Sequence, residues 1–307
     1  SNYLGNKYTV VSVGRVMTCV LGMVVRRERE IREFVKTPFY RVIESVNVDG
    51  HTFTGEWRAV KGSAYFESPK LYKENGFKEK EEAQKLIAVL KEGTSPLTCR
   101  IVSIEKKKEK KNPPLLFNLA ELQNECSKRF KISPDETLRI VQELYEKKLV
   151  TYPRTDARVL STAVSKEITK NLNGLSKYQM AAPYMQDILH YGAYKNLAKT
   201  RYVNDKQITD HYAIIPTGQG LSALNSVSAT AHHVYDVIVR RFLSIFYPSA
   251  VYQKVALVTQ IGKEQFFSNF RVLAEEGYLK VAGVPAPKKN ANGNDAEGDG
   301  SDNNVDL

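Results

Sequence analysis

The chain has 307 residues, of which 42% are hydrophobic and 26% charged, and this composition predicts a globular protein of two or three domains. No apolar run reaches the roughly 18 to 20 residues that a membrane span requires, and no signal peptide is recognisable at the amino terminus, so we expect no membrane partner. The cysteines Cys19, Cys99 and Cys126 form no CxxC pair, which disfavours a disulfide framework and a zinc ribbon and predicts a reducing, intracellular compartment.

The charge is unevenly distributed along the chain. The formal net charge is +11, and the last twenty residues hold two lysines against five acids, so residues 1–287 carry +14. A basic body of this kind favours a polyanionic partner, and nucleic acid is the first candidate because phosphate neutralisation releases counterions. Charge alone leaves open a basic protein with no such partner.

The predicted elements begin with a helix. Residues Gly14 to Val25 are apolar nearly all round and are followed by the charged run R-R-E-R-E-I-R-E-F. This pattern predicts one helix, buried at first and then exposed on one side. Beyond it, the segment from Tyr40 to Val60 alternates with period two around Asp49-Gly50, which predicts a β-hairpin.

Two further elements precede the middle of the chain. A short helix is predicted from Lys80 to Lys91, with Gly93 as its left-handed stop. A strand is predicted from Thr98 to Glu105, and it runs into the basic sequence K-K-K-E-K-K.

From Pro113 onward the periodicity becomes helical. Leu116, Leu119, Leu122 and Cys126 recur at helix spacing, and the capping box Ser133-Pro134-Asp135-Glu136 opens a second helix. Two more helices are predicted, from Ser161 to Leu172 with an end near Gly174, and from about Ser228 to Tyr247. The second of these has one apolar face, formed by Val234, Ile238, Phe242 and Ile245.

Strand periodicity returns from Val251 to Val272, with a turn at Gly262-Lys263. We expect the two β-rich segments to pair into one sheet domain, which the helical block leaves and re-enters through neighbouring strands. Such a block suits a part that swings as a unit. The Asn/Gly/Asp-rich tail after Lys288 is predicted to be a linker or a mobile end.

The sequence L-V-T-Y-P-R-T-D-A places Tyr152, Arg154 and Asp156 within five residues. A phenol has a pKa of about 10, so a tyrosine nucleophile needs a cation or a donor near its target. Pro153 favours an extended chain, in which Tyr152 and Arg154 share a face, and Asp156 then either orients Arg154 or caps the next turn. These residues alone fit equally a packed tyrosine beside a surface ion pair.

Two distant segments carry candidate anion-binding residues. His211, in T-D-H-Y-A-I-I-P-T-G, is able to donate a hydrogen bond to a phosphate oxygen, although a single histidine is also a common structural residue. Arg15, in S-V-G-R-V, stands at the head of the first predicted helix, where backbone N–H groups already favour an anion. An ordinary arginine at a helix start is the alternative there.

In combination these motifs resemble a known family. The segments S-V-G-R-V-M-T…V-V-R-R-E-R-E-I, P-P-L-L-F-N-L-A-E-L-Q, L-Y-E-K-K-L-V-T-Y-P-R-T-D and D-H-Y-A-I-I-P-T resemble, in this order, the central part of type IA DNA topoisomerases, especially the bacterial topoisomerase III group. The resemblance covers roughly residues 9 to 280. It implies a multi-domain α+β fold, in which winged-helix-like helical domains are joined by a β-rich arch.

The resemblance also implies roles for individual residues. Tyr152 matches the tyrosine that attacks a single-strand phosphodiester and becomes 5′-phosphotyrosyl, and Arg154 matches the arginine that stabilises the transition state. His211 matches a phosphate-contacting histidine, and Arg15 an arginine that grips single-stranded DNA. Thr155 and Asp156, within the tyrosine motif, are likewise predicted to be DNA-binding.

The chain departs from the family pattern at several positions. Met17 and Cys19 stand where the family has glutamine and proline, which puts a polar DNA contact at position 17 in doubt, and Tyr212 follows the histidine where the family often has histidine or glutamate. The acidic Toprim domain, which carries the Mg²⁺ site of the family, is not recognisable before Ser12. We therefore expect no metal in this chain, Mg²⁺ only in the intact enzyme, and little cleavage without Toprim in cis.

The resemblance divides the chain into predicted segments. These are part of a DNA-gripping helical domain (1–37), the first part of the β-rich arch (38–112), the helical domain with the tyrosine (113–249), the return strands of the arch (250–275), and the start of a helical domain with an acidic tail (276–307). The implied activity is ATP-independent relaxation or decatenation of DNA, in the bacterial cytoplasm at the nucleoid. The oligomeric state stays open.

Two other functions remain as alternatives. One is a different tyrosine transesterase, a recombinase or a nicking protein, although here the arginine follows the tyrosine and no histidine metal triad is present. The other is a non-catalytic protein that binds single-stranded nucleic acid, with Tyr152 as a packing or base-stacking aromatic.

Overall fold

The computed structural model describes residues 14–92 and 97–283. The first predicted elements are present in it, and the Asp49-Gly50 turn has the positive φ angles, 51° and 85°, that a tight hairpin requires. The elements before the helical block are α1 (Arg15–Arg32), β1 (Ile43–Val48), β2 (His51–Arg58), β3 (Leu71–Lys73), β4 (Gly76–Phe77), α2 (Lys80–Lys91) and β5 (Arg100–Lys111).

The second half of the described chain contains a helical block followed by two long strands. Its elements are α3 (Leu119–Phe130), α4 (Pro134–Glu146), α5 (Thr162–Leu175), α6 (Ala182–Tyr191), α7 (Ala229–Ser244), β6 (Ala250–Ile261), β7 (Glu264–Glu275) and α8 (Leu279–Ala282). Three short 3₁₀ helices lie between α6 and α7, at Ala193–Lys199, Asp205–Gln207 and Leu221–Ser226.

The described residues fall into two compact units. The first comprises residues 14–46, 55–92, 97–100 and 259–266, and the second comprises residues 47–54, 101–258 and 267–283. The core of the first unit is built on Trp57, whose fully buried ring stacks on Phe77 with 4.9 Å between the ring centroids. The buried carboxylate of Glu264 accepts hydrogen bonds from Trp57 Nε1 (2.6 Å), Ser63 Oγ (2.6 Å) and the backbone N–H of Ala64 (2.8 Å).

The strands before and after the helical block pair in one five-stranded sheet of order β1-β2-β7-β6-β5, which confirms the predicted pairing. The β6–β7 turn lies at Gly262, with a φ of 59°, as predicted. β5 extends to Lys111 instead of ending at Glu105. Its backbone hydrogen bonds to β6 keep the exposed lysine-rich part of the strand in an extended conformation.

The core of the second unit is helical. α7 buries Val234, Ile238 and Phe242 completely, as its predicted apolar face requires. The predicted cap of α4 is present, since Ser133 Oγ accepts the Glu136 N–H at 3.1 Å. α6 was not predicted, although Pro183 near its start and Gly192 at its left-handed end are ordinary boundary signals.

The prediction for α1 is correct for its extent and wrong for its burial. One continuous helix runs from Arg15 to Arg32, but none of its residues is buried, and Met17 and Met23 are 62% and 71% exposed. An apolar stripe is buried only where another surface covers it, and no described residue covers this one. Ser12, Gly93 and the tail after Gly283 lie outside the described residues. Their predicted structure therefore stays a prediction.

None of the described helices combines the length and the apolar character needed to cross a membrane.

Candidate active site

Tyr152 follows a short segment that pairs with the segment just after His211. After α4, the backbone N–H of Thr151 donates to the Ile215 carbonyl (3.0 Å), and Thr151 Oγ1 accepts from the Ile215 N–H (2.9 Å). An isolated antiparallel bridge joins Val150 and Pro216 next to them. Pairing with Ile215, 64 residues away in sequence, therefore fixes the backbone immediately before Tyr152.

The Tyr152 ring is partly exposed and lies between two other rings. Its centroid is 4.2 Å from that of His211, with the planes tilted by 38°. Tyr145, in the last turn of α4, meets it edge-on, with the centroids 5.5 Å apart. The structure thus brings together Tyr152 and His211, two of the predicted site residues.

Thr155 connects the tyrosine motif to the backbone of His211. Its hydroxyl donates to the His211 carbonyl (2.8 Å) and accepts from the Ala157 N–H (3.1 Å), and the residue is only 6% exposed. Both functions of the hydroxyl are used within the protein. This geometry supports a positioning role for Thr155, and its predicted DNA contact stays a prediction.

An extended chain does not persist beyond Pro153. A hydrogen bond from the Thr155 N–H to the Pro153 carbonyl (3.0 Å) closes a tight turn around Arg154, because Thr155 is drawn inward to His211. Arg154 and Asp156 are both exposed, and no salt bridge or side-chain hydrogen bond joins them in the described structure. Asp156 contributes its backbone carbonyl, which accepts from Asn118 Nδ2 at 3.1 Å.

Arg15 is the first residue of α1, as predicted, and is exposed. It belongs to the first unit, whereas Tyr152 and His211 belong to the second. Its DNA-binding role stays a prediction.

A cleft of about 500 Å³ opens beside Tyr152 in the second unit. Several residues that were not predicted contribute to it. Its lining consists of Tyr145, Glu146, Lys148, Val150, Thr151, Tyr152, His211, Tyr212, Thr217 and Gln219. Gln219 stands between Gly218 and Gly220, whose positive φ angles (75° and 68°) mark a loop folded for close approach, and the G-Q-G sequence was the available signal for it.

The cleft has one acidic and one basic side chain in its lining. Its charged lining residues are Glu146 and Lys148, and burial raises the pKa of the Tyr212 phenol, which therefore stays neutral at physiological pH. Over residues 14–92 and 97–283, no group of three or more His, Cys, Asp or Glu side chains is placed to hold a metal ion. The residues present thus do not fit the Mg²⁺ site of the resembled family.

A buried Tyr152 with no basic neighbour would have favoured a packing role. Instead the ring lines a cleft and lies beside a histidine, an arrangement that suits a reactive or ligand-contacting side chain. A purely packing role for Tyr152 is therefore not favoured.

Comparison with known proteins shows the family of this mixed helical and sheet chain. The chain belongs to the DNA topoisomerase family, whose family model matches residues 1–302. It is 33% identical over 272 residues to "DNA topoisomerase 3" of Bacillus subtilis, a match that covers 88% of this chain and 34% of the relative. The protein of the same name from Bacillus licheniformis is 34% identical over the same length and coverage.

A solved structure has the same fold. Full-length topoisomerase I from Thermotoga maritima superposes with a TM-score of 0.61 at 24% identity, covering 90% of this chain and 41% of that one. The resemblance to type IA topoisomerases and to topoisomerase III is thereby confirmed, as is the mixed α and β fold class. The chain spans about a third of the length of the curated relatives it matches.

Proposed function

We propose that this chain is the tyrosine-bearing segment of a type IA topoisomerase that cuts a single DNA strand through Tyr152. The observation that carries the proposal is the partly exposed Tyr152 ring in its cleft, with the His211 ring centroid 4.2 Å away. A nucleophile needs access to its target and a donor near the charge that develops on that target, and this pair supplies both.

The reaction is a transesterification. Tyr152 Oη forms a bond to the phosphorus of a backbone phosphodiester while the bond from phosphorus to the 3′ oxygen breaks. The phenol loses one proton and the leaving 3′ oxygen gains one, so the cut strand has a 3′-hydroxyl at one end. Because the bond between phosphorus and the 3′ oxygen is the one that breaks, the phosphate at the other, 5′ end stays bonded to the tyrosine. One phosphodiester replaces another, and the reverse attack by the 3′-hydroxyl reseals the strand without ATP.

The other predicted site residues take supporting roles. His211 donates a hydrogen bond to a non-bridging phosphate oxygen, and the exposed guanidinium of Arg154 neutralises the charge of the pentavalent transition state. Thr155 positions His211 through its carbonyl. Arg15 and Asp156 contact DNA that extends beyond the scissile phosphate.

In the complete protein we infer relaxation or decatenation of supercoiled or catenated DNA in the bacterial cytoplasm, with single-stranded DNA as the cleaved partner. Mg²⁺ would be held by an acidic Toprim domain in cis, where it would supply positive charge near the phosphate. Because no described group of residues fits a metal ion, no step above runs through it.

The test is covalent trapping with the complete protein. A single-stranded oligonucleotide labelled at its 3′ end is incubated with the protein, and denaturation traps any phosphotyrosyl adduct. We expect the label to transfer to the wild-type protein and not to the Tyr152→Phe variant. The matched control is Tyr191→Phe, which changes an exposed tyrosine outside the cleft and should trap normally.

Other outcomes decide against the proposal. Trapping that survives in Tyr152→Phe excludes this residue as the nucleophile, and transfer of a 5′ label instead of a 3′ label indicates a 3′-phosphotyrosine, as formed by recombinases. For the chain itself, we expect salt-dependent binding of single-stranded DNA that His211→Ala weakens, measured by fluorescence anisotropy.

A further inference from the structure

The edge strand β5 carries a row of unpaired cations that the tyrosine site does not use. Residues 101–111 contain five lysines and two glutamates, a net charge of +3. β5 is the last strand of the sheet order, so within the described chain only one of its edges is paired, with β6. None of these residues lines the Tyr152 cleft.

The two acids on β5 are neutralised by other side chains. Glu105 pairs with Lys107 (3.2 Å), and Glu109 pairs with Lys254 of β6 (3.4 Å) and Arg271 of β7 (3.2 Å). Side chains alternate along a strand, so Lys106, Lys108 and Lys110 share the opposite face from these acids. All three are exposed, and none forms a salt bridge within residues 14–92 and 97–283.

These three lysines form a regular line of charge. A strand rises about 3.3 Å per residue, so successive ammonium groups stand roughly 6.6 Å apart on a rigid, hydrogen-bonded support. The strand from Arg100 to Lys111 carries no aromatic side chain on which a base could stack. Binding of single strands relies on such stacking, whereas duplex DNA presents the higher linear charge density to which lysines alone respond.

We propose that the row formed by Lys106, Lys108 and Lys110 binds the phosphate backbone of duplex DNA without reading its sequence. The inference goes beyond the proposed function, which concerns the single strand at Tyr152. It gives this chain a second DNA contact, made by the basic sequence K-K-K-E-K-K at the end of β5.

Lysines on an edge strand also have a purely protective use, because they deter pairing with another chain. Exposed Ile101, Val102 and Ile104 earlier in β5 make that use relevant here. Charge reversal separates the two explanations, since glutamates protect an edge as lysines do but repel phosphate.

The experiment compares the wild-type chain with the triple variant K106E/K108E/K110E in titrations of a labelled blunt-ended duplex at several salt concentrations. Losing three phosphate contacts should lower the magnitude of the slope of log K against log salt by about 2.7, with at least a roughly tenfold loss of affinity at physiological salt. Binding of an oligo-dT strand should change much less. The matched control is K166E/K177E/K195E, which makes the same change in net charge at exposed lysines outside the row.

Equal losses in the row variant and the control would mean that net charge, not the row, drives duplex binding, and would overturn the proposal. So would an unchanged salt slope, or an equal loss of oligo-dT and duplex. Intact duplex binding by the charge-reversed variant, together with self-association of K106Q/K108Q/K110Q in size-exclusion chromatography, would establish edge protection instead. If the charge-reversed chain does not fold, K106Q/K108Q/K110Q decides by the same slope. Because His211→Ala tests the tyrosine cleft separately, either proposal can fail alone.

Discussion

At the scale of single residues, the hydroxyl of Thr155 determines where His211 lies relative to Tyr152. It donates to the His211 carbonyl and accepts from the Ala157 N–H, and it is almost fully buried. The contact between the Tyr152 and His211 rings, with centroids 4.2 Å apart, would not be stable without such support. Both side chains are accessible to solvent, and each gains rotamer freedom when the rings separate. The hydrogen bond from the Thr155 hydroxyl to the His211 carbonyl helps to keep the two segments together.

We therefore expect Thr155→Val to weaken the site and the fold together. The substitution leaves a carbonyl and an N–H without their partner in a buried position, which should cost about 2 kcal/mol in the free energy of unfolding. Urea unfolding measures this, and anisotropy should show weaker binding of single-stranded DNA. Thr52→Val, at an exposed position of β2, should stay within about 0.5 kcal/mol of wild type. Equal stability of the two variants would contradict the role given to Thr155.

At the scale of elements, the ends of α3 and α4 are made by lysines in the left-handed conformation that glycine usually adopts. Lys131, the C-cap of α3, has a φ of 59°, and Lys148, which follows α4, has a φ of 61°. A non-glycine residue pays roughly 1 kcal/mol for this conformation. At Lys148 the same backbone turn brings a side chain to the rim of the Tyr152 cleft.

Lys131→Gly should accordingly stabilise the chain, by about 1 kcal/mol, through relief of the left-handed conformation. Lys128→Gly, on the exposed side of α3, should destabilise it by about 1 kcal/mol, because glycine is costly inside a helix. The two variants make the same chemical change three residues apart. Thermal or urea unfolding should give opposite signs, and the same sign for both would refute this account of the helix end.

At the scale of the whole molecule, a buried carboxylate in the first unit, Glu44, couples stability to pH. Glu264 has three hydrogen-bond donors, whereas Glu44, 9% exposed, accepts from the Thr259 hydroxyl through one oxygen and leaves Oε2 buried without a partner among the described residues. Burial therefore raises the pKa of Glu44 above its ordinary value of 4.5.

The sign of the pH effect follows from this shift. A carboxyl whose pKa is raised on folding contributes stability below pH 4.5, and that contribution is lost as the pH rises through the raised pKa. We expect the free energy of unfolding of wild type, relative to Glu44→Gln, to fall as the pH rises from 4.5 toward neutrality, because only wild type must bury a charge. Urea unfolding of both proteins across this range measures it, and a difference that does not vary with pH would contradict the prediction.

Elements with a local sequence signal could be predicted before the structure was known. Periodicity and caps located α4 at Ser133 and the buried face of α7 from Val234 to Phe242, since each depends on neighbours within a few residues. The tyrosine motif could be recognised from the sequence because Tyr152, Arg154 and Asp156 lie within five residues. The family resemblance then linked this motif to His211. Local pattern did not reveal α6, whose end signals lie outside a clear apolar periodicity.

Which side chains meet depends on contacts between segments that are distant in sequence. Beyond Pro153 the chain turns instead of staying extended, because the Thr155 hydroxyl donates to the His211 carbonyl across 56 residues, and that long-range bond outweighs the local preference of the backbone. The apolar start of α1 is exposed because burial depends on a covering surface, which no helix specifies alone. The lysine run of β5 became a straight row because its partner strand holds it extended. In each case sequence set the local chemistry, and contacts between distant segments set its geometry.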